Sequence, residues 1–130
     1  MVDLEPTPYG FRMSMSGQVT EAEMQAFLEK MKRLVTGERR FGLLVDARAQ
    51  KVQQPAVAAL VQEGMRWMKA HGQGRSVILL DSALARLQSM RMSRESGLDE
   101  TRIIVDADAA RGEAAALAWI ERGVEPAPLP

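Results

Sequence analysis

Three aspartates, Asp46, Asp81 and Asp106, each follow an apolar run that has the length of a buried strand. In a parallel α/β sheet the carboxyl ends of the strands lie at one edge, where ligands commonly bind. Carboxylates gathered there could hold Mg²⁺, and Asp81 beside Ser82 could form a phosphoacceptor or hydrolytic site. The alternative, which we favour, is that each carboxylate caps a helix or shapes a turn by accepting backbone amide hydrogen bonds.

Arginine is the dominant cation of the second half of the chain. Arg48 follows Asp46 closely, so the candidate ligand-binding residues at the strand-end edge are Asp46, Arg48, Asp81, Ser82 and Asp106. A second cluster shares part of one predicted helix: Arg86, Ser89, Arg91, Ser93 and Arg94. Guanidinium groups bind phosphate or carboxylate in bidentate fashion, which makes an anionic ligand one hypothesis. The other is a solvated surface with ion pairs to neighbouring acids.

The residue types exclude several chemistries. A chain without cysteine has no disulfide, thiol nucleophile or thiolate metal site, and a single histidine excludes a multi-histidine zinc centre. That histidine, His71, has no acid–serine pattern beside it and suits the last turn of a helix, before Gly72. Neither glycine-rich phosphate-binding spacing occurs. We therefore predict no catalytic residue, no metal and no cofactor.

Composition places the chain among ordinary globular domains. Its 130 residues include 17 basic and 17 acidic residues, so no net charge favours nucleic acid or an anionic membrane surface. The N-terminus has acids and a proline where a signal peptide needs a basic start and an apolar run. No apolar stretch approaches the roughly 20 residues of a membrane span. We expect a cytoplasmic protein that has no membrane span and binds no nucleic acid.

Periodicity predicts alternating strands and helices. Residues 9–16 alternate apolar and polar side chains, which predicts a half-buried strand near a sheet edge. Val2 and Leu4 could begin this strand or form a short partner for it, but Pro6 and Pro8 are expected to interrupt pairing there. Thr20 and Glu23 have the spacing of a capping box at the start of an amphipathic helix. Three short apolar runs predict buried strands at 41–46, 76–81 and 101–106. Helices are predicted from Pro55 to about 71, from about 82 to 97, and over 113–121.

This order predicts an α/β layered fold with a mostly parallel sheet of four to five strands and about four helices. We assign 1–123 to a single domain. We expect the proline-rich residues 124–130 to form a flexible C-terminal tail.

The nine methionines suggest an adaptable apolar pocket of the kind a lipid-like ligand needs. Met24, Met31 and Met68 lie on predicted core stripes, however, which favours core packing for most of them. Trp67 lies outside the inner stripe of its helix, and Met90 and Met92 lie on opposite sides of theirs. These three residues could mark an exposed apolar patch that serves as a dimer interface, or they could be isolated surface side chains.

Five segments of the chain together suggest a family, and they are 17–20, 44–48, 75–81, 102–106 and 113–120. In their order and spacing, these segments resemble the SpoIIAA-like domains of the STAS group. The fold of that group is similar to the fold of CRAL-TRIO lipid-binding domains. In the anti-anti-sigma members, the second serine of a motif like Asp-Ser-Ser-Gly-Leu is phosphorylated and controls partner binding. This chain has Asp81-Ser82-Ala83-Leu84, so the corresponding position is Ala83 and the glycine is missing. Unless Ser82 substitutes, the resemblance does not imply that switch.

Together these observations favour a non-catalytic STAS-like binding or interaction domain. It would act through self-association, a protein partner, or a small apolar or anionic ligand. A carrier for a lipid-like ligand is the main alternative, and an enzyme or phosphoacceptor at the aspartate-rich edge is a third hypothesis. Fold resemblance alone does not decide between them.

Overall fold

A computed structural model describes residues 1–81, 86–87, 90–91, 101–105 and 108–126. Five strands form one sheet in the order β1-β2-β3-β4-β5, in which β1 is antiparallel and the others are parallel to their neighbours. The strands are β1 (Val2–Thr7), β2 (Gly10–Gly17), β3 (Phe41–Gln50), β4 (Gln73–Leu80) and β5 (Thr101–Val105). Three helices are described: α1 (Glu21–Leu34), α2 (Pro55–Ala70) and α3 (Ala109–Arg122). The predicted α/β class is confirmed.

Two apolar cores lie on opposite faces of the sheet. The first joins α1 and α2 to β1, β2 and β3 through residues such as Leu4, Met13 and Met24. The second joins α3 to β3, β4 and β5 through residues such as Leu44 and Trp119. Since both faces are covered, the central parallel strands carry apolar residues on both sides.

The N-terminus forms a β-hairpin, in which the segment with Val2 and Leu4 is the partner strand that the sequence offers as one of two alternatives. β1 pairs with β2 along its whole length, and Pro6 lies opposite Phe11. The expectation that Pro6 interrupts pairing is therefore wrong, because β1 is an edge strand, where proline is tolerated. Pro8 lies in the turn. The alternating strand that we expect near a sheet edge is β2, and β1 lies between it and the edge of the sheet.

Local signals at the helix ends are confirmed. The Thr20 hydroxyl accepts from the Glu23 amide at 3.1 Å, and the Glu23 carboxylate accepts from the Thr20 amide at 3.3 Å, which completes the capping box. Proline begins α2 at Pro55 as expected. The αL conformation of Gly123 ends α3, but α3 begins four residues before the predicted start because Asp108 caps it.

The strand boundaries differ from the prediction at one residue that matters for function. β3 continues to Gln50, so Asp46 lies inside this strand, opposite Ser14 and Leu79, and not at its end. Asp81 does follow the end of β4. The predicted helix at 82–97 lies mostly outside the described residues, although Arg86, Leu87, Met90 and Arg91 are helical.

Candidate functional site

A cavity of about 660 Å³ lies between the sheet and the helices α1 and α2. Its size is within the range of about 300–1,000 Å³ that is typical of small-molecule sites. The sheet contributes apolar side chains that include Leu43, Val45 and Ile78, and the helices contribute Phe27 and Val61. The cavity therefore has the mainly apolar lining that suits a hydrophobic ligand.

Methionine is the characteristic residue of this lining. Six of the nine methionines contribute to it: Met13, Met15, Met24, Met31, Met65 and Met68. Each element contributes two methionines whose spacing places them on one face of that element. The pairs are Met13 and Met15 on β2, Met24 and Met31 on α1, and Met65 and Met68 on α2. Unbranched thioether side chains change rotamer easily and fit ligands of varied shape. The pattern that predicts core packing thus also lines the cavity.

The close approach of α1 and α2 depends on a glycine in the same lining. Gly64 is buried on α2, and a Cβ at this position would lie 2.9 Å from Leu28 Cδ2 and 3.3 Å from Met31 Cε. A side chain here would press on α1 or project into the space between the helices. Gly64 therefore lets the two helices pack closely where they border the cavity.

Three uncharged polar side chains from neighbouring strands also line the cavity. Gln73 and Ser76 of β4 are 8% and 2% exposed, respectively. The Gln73 amide nitrogen donates to the Ser76 hydroxyl at 3.3 Å, and the hydroxyls of Ser76 and Thr101 are 2.6 Å apart. Ser76 and Thr101 are direct partners in the β4–β5 register. We call Gln73, Ser76 and Thr101 the polar trio.

The charged residues of the lining lie toward the carboxyl end of the sheet. Asp81 follows β4 and Lys51 follows β3, and both side chains are exposed. Gln53 holds the loop beside Lys51 by donating to the Gly17 and Lys51 carbonyls and accepting from the Val19 amide at 2.9 Å. Exposed charged residues therefore border the cavity near the carboxyl end of β4. Buried, uncharged polar residues border it along the amino-terminal half of β4.

A charged cluster lies on the opposite face of the sheet. Arg12 pairs with Glu113 of α3 and lies 3.0 Å from the Asp46 carboxylate. Arg48 reaches Asp46 at 2.9 Å and Glu113 at 3.1 Å. The hydrogen bond from Arg48 is the largest influence on Asp46 and holds the pKa of its carboxyl below the ordinary value of 3.8. We call these four residues the charged cluster.

The charged cluster uses its functional groups internally. Two guanidinium groups face two carboxylates, and all four side chains are largely buried, with exposures between 23% and 32%. Arg48 also reaches the Ala109 carbonyl at the start of α3. This arrangement fixes α3 against β2 and β3, and it accounts for Asp46 and Arg48 without a ligand.

The predicted strand-end site is not assembled from its described members. Asp46 faces α3, whereas Asp81 borders the cavity on the other face of the sheet. The hypothesis that these carboxylates converge is therefore wrong for this pair, because β3 continues past Asp46 and its side chain points away from the cavity. Ser82 and Asp106 lie outside the described residues. Within the part of the chain that the structure describes, no group of three acidic or histidine side chains is arranged to hold a metal ion.

The predicted interface residues are only partly described. Trp67 is half-buried and packs against the first core, and its indole stacks on the His71 ring at 3.8 Å between centroids. Lys32 lies 5.0 Å above the same indole, so Trp67 presents less free apolar surface than the prediction assumed. Met90 is half-buried, and Met92 lies outside the described residues. An interface role stays a prediction.

His71 has the structural role that the sequence predicts, whereas the charged cluster and Gln73 include residues that the sequence does not predict. His71 caps α2 and donates from Nδ1 to the Trp67 carbonyl at 2.7 Å, as expected for a residue in a structural role. The charged cluster members Arg12 and Glu113 were not predicted, since their partners are distant in sequence. Gln73 was also missed, although a glutamine between two glycines at the start of an apolar strand is an unusual residue for a buried position.

Comparison with solved structures identifies the fold. The chain superposes on an uncharacterised protein of the DUF3478 family from Shewanella loihica PV-4, which has a SpoIIAA-like fold, with a TM-score of 0.68. The match covers 92% of each chain at 13% sequence identity. This chain has a SpoIIAA-like fold. No protein-family model matches the sequence, and no curated protein shows significant similarity to it. Among the described residues, no helix is both long and apolar enough to cross a membrane.

Proposed function

We propose that this SpoIIAA-like chain is a binding domain that holds a small, predominantly apolar ligand in the cavity between the sheet and helices α1 and α2. The observation that carries the proposal is the cavity itself, about 660 Å³ in volume and lined by six methionines. Burial of apolar surface in such a space stabilises a complex by about 25 cal/mol per Å² removed from water, before the costs of association.

Two features favour this function over a catalytic one at the same place. The lining side chains are mainly aliphatic or thioether groups, which neither transfer protons nor act as nucleophiles at neutral pH. The chain has a SpoIIAA-like fold, and the similarity of that fold to CRAL-TRIO lipid-binding domains supports an apolar ligand. The domain would therefore act by holding and releasing its ligand.

The proposal is tested by filling the cavity. Ala58 lies on α2 in the lining, whereas Ala59, one residue further along the helix, is exposed and outside it. We expect Ala58→Phe to weaken binding of the neutral fluorescent probe N-phenyl-1-naphthylamine at least tenfold, because the new ring occupies the ligand's space. Ala59→Phe is the matched control and leaves binding unchanged. Equal binding by Ala58→Phe and the unmodified protein would contradict the proposal.

Native mass spectrometry of the full chain, purified without detergent, is the companion experiment. We expect a non-covalent added mass that an organic solvent extracts, and that Ala58→Phe does not retain. The same spectrum reports the oligomeric state. A dimer without added mass would instead favour an interaction domain and direct attention to the surface around Trp67.

A further inference from the structure

The polar trio lies in an otherwise apolar part of the cavity wall. Gln73 is more than nine-tenths buried, yet it lines the cavity. A buried polar side chain costs free energy unless its hydrogen-bonding groups are satisfied. Its amide nitrogen donates to Ser76, and its amide oxygen accepts no hydrogen bond from any residue that the structure describes. The oxygen is therefore available to a donor inside the cavity.

The hydroxyl pair leaves one donor as well. Ser76 and Thr101 each carry one O–H hydrogen, and a single hydrogen bond of 2.6 Å joins their oxygens. Whichever hydroxyl donates in that bond, the other keeps its hydrogen. Among the described residues no acceptor takes it. The polar trio thus offers one acceptor, Gln73 Oε1, one hydroxyl donor, and the second hydrogen of the Gln73 amide nitrogen, whose first hydrogen is donated to Ser76.

The charges around the cavity restrict the ligand further. No charged side chain belongs to the polar trio, and the charged lining residues Lys51 and Asp81 are exposed at the carboxyl end of the sheet. An ionised head group at the polar trio would lose its hydration without gaining a counter-charge. A group that both donates and accepts while remaining neutral matches the available atoms.

We propose that the polar trio recognises a neutral head group carrying an O–H or N–H, so that the ligand is an uncharged amphipath such as an aliphatic alcohol, monoacylglycerol or primary amide. The ligand's hydroxyl or amide hydrogen donates to Gln73 Oε1, and its oxygen accepts from the free Ser76 or Thr101 hydroxyl. Its alkyl portion packs against the methionines. This inference rests on the proposed function, because it assumes that the cavity is the ligand site.

A series of ligands with one chain length tests the inference on the unmodified protein. We would measure displacement of N-phenyl-1-naphthylamine by 1-dodecanol, by dodecyl methyl ether, which cannot donate, and by dodecanoate at pH 8, which is ionised. We expect 1-dodecanol to bind about tenfold more tightly than either, since each alternative loses the donor and leaves Gln73 Oε1 unpaired. Equal affinity for the three, or a preference for dodecanoate, would overturn the inference.

Two variants test whether Gln73 is the residue that causes the preference for 1-dodecanol. Gln73→Met removes the amide while keeping an unbranched side chain, and we expect it to abolish the preference for 1-dodecanol over the ether. Gln50→Met is the control, since Gln50 also lines the cavity but lies outside the polar trio. A preference that persists in Gln73→Met would overturn the inference.

The outcomes separate the two proposals. If the three ligands bind equally and Ala58→Phe blocks them all, the cavity binds ligand and only the head-group inference fails. If Ala58→Phe blocks none of them, the proposed function fails.

Discussion

Arg12 and Glu113 are 101 positions apart in the sequence and form an ion pair that ties β2 to α3. Asp46 and Arg48 complete the charged cluster from the neighbouring strand β3. The cluster covers the end of α3 that is furthest from the Trp119 contact with β4. Polar pairing at one end of α3 and indole packing at the other therefore hold this helix on the sheet.

Removal of the Asp46 charge should destabilise the fold at neutral pH. Asp46→Asn leaves Arg12 and Arg48 without one carboxylate, and we expect the free energy of unfolding to fall by about 1–3 kcal/mol at pH 7. Urea denaturation measures this. As a control, Asp3→Asn affects an exposed pair with Lys30 and should cost less than about 1 kcal/mol.

The same variant should lose its effect in acid. The pKa of Asp46 in the folded state lies below its ordinary value of 3.8, so the unfolded chain takes up the proton first as pH falls. The stabilisation from Asp46 is complete above 3.8 and is lost as pH falls through the folded-state pKa. The difference between the unmodified protein and Asp46→Asn should accordingly shrink when urea denaturation is repeated at pH 3. A constant difference would contradict this assignment.

The two tryptophans should respond differently to phenylalanine. Trp119 is buried, and its indole N–H donates to the Ser76 carbonyl at 2.9 Å. The buried Trp67 Nε1 has no hydrogen-bond partner among the described residues. Both substitutions remove similar volume, so Trp119→Phe should cost about 1 kcal/mol more than Trp67→Phe in urea denaturation. Equal losses for the two variants would contradict this prediction.

A close backbone approach between β2 and β3 should make Gly10 intolerant of any side chain. Its φ is +145°, and a Cβ would lie 2.2 Å from the Gly42 carbonyl oxygen. We expect Gly10→Ala to lower the free energy of unfolding by about 3 kcal/mol, since overpacking and backbone strain add. Gly17→Ala is the control: its φ is also positive, at +62°, but nothing lies within 4 Å of the added methyl. It should cost about 1–2 kcal/mol.

The capping box of α1 should contribute a smaller amount. Thr20→Ala removes the hydroxyl that accepts from the Glu23 amide, and we expect a loss of about 1 kcal/mol in thermal or urea denaturation. Thr36→Ala changes an exposed threonine in the following loop and should stay within about 0.5 kcal/mol of the unmodified protein. A loss for Thr36→Ala as large as that for Thr20→Ala would count against a specific cap.

The sequence predicts those features that short-range physics determines. The capping box at Thr20, the proline at the start of α2 and the apolar runs of β3 and β4 all depend on residues that are close in the chain. Pro6 misled the prediction because a proline is excluded from central strands but tolerated at an edge, and the edge is a property of the whole sheet.

The candidate site depends on long-range geometry to a greater extent. Met13, Met31 and Met68 belong to three elements, and their spacing predicts a buried face for each without showing that the faces leave a space between them. The apolar run of β3 stops at Asp46, which predicts a strand end there. β3 nevertheless continues, since Arg12 and Arg48 neutralise a carboxylate within the sheet. The periodicity of apolar residues reports only on residues that are close in the chain, so it cannot predict an ion-pair partner such as Arg12.

The sequential strand order has a consequence for synthesis of the chain. Because each described strand after β1 pairs with the described strand before it, a strand that leaves the ribosome already has its partner in the emerged chain. The first apolar core, built from residues between Val2 and Met68, can form before β5 and α3 exist. Closure of the Arg12–Glu113 pair then has to wait for α3, so formation of this pair during translation would report that α3 has docked on the sheet.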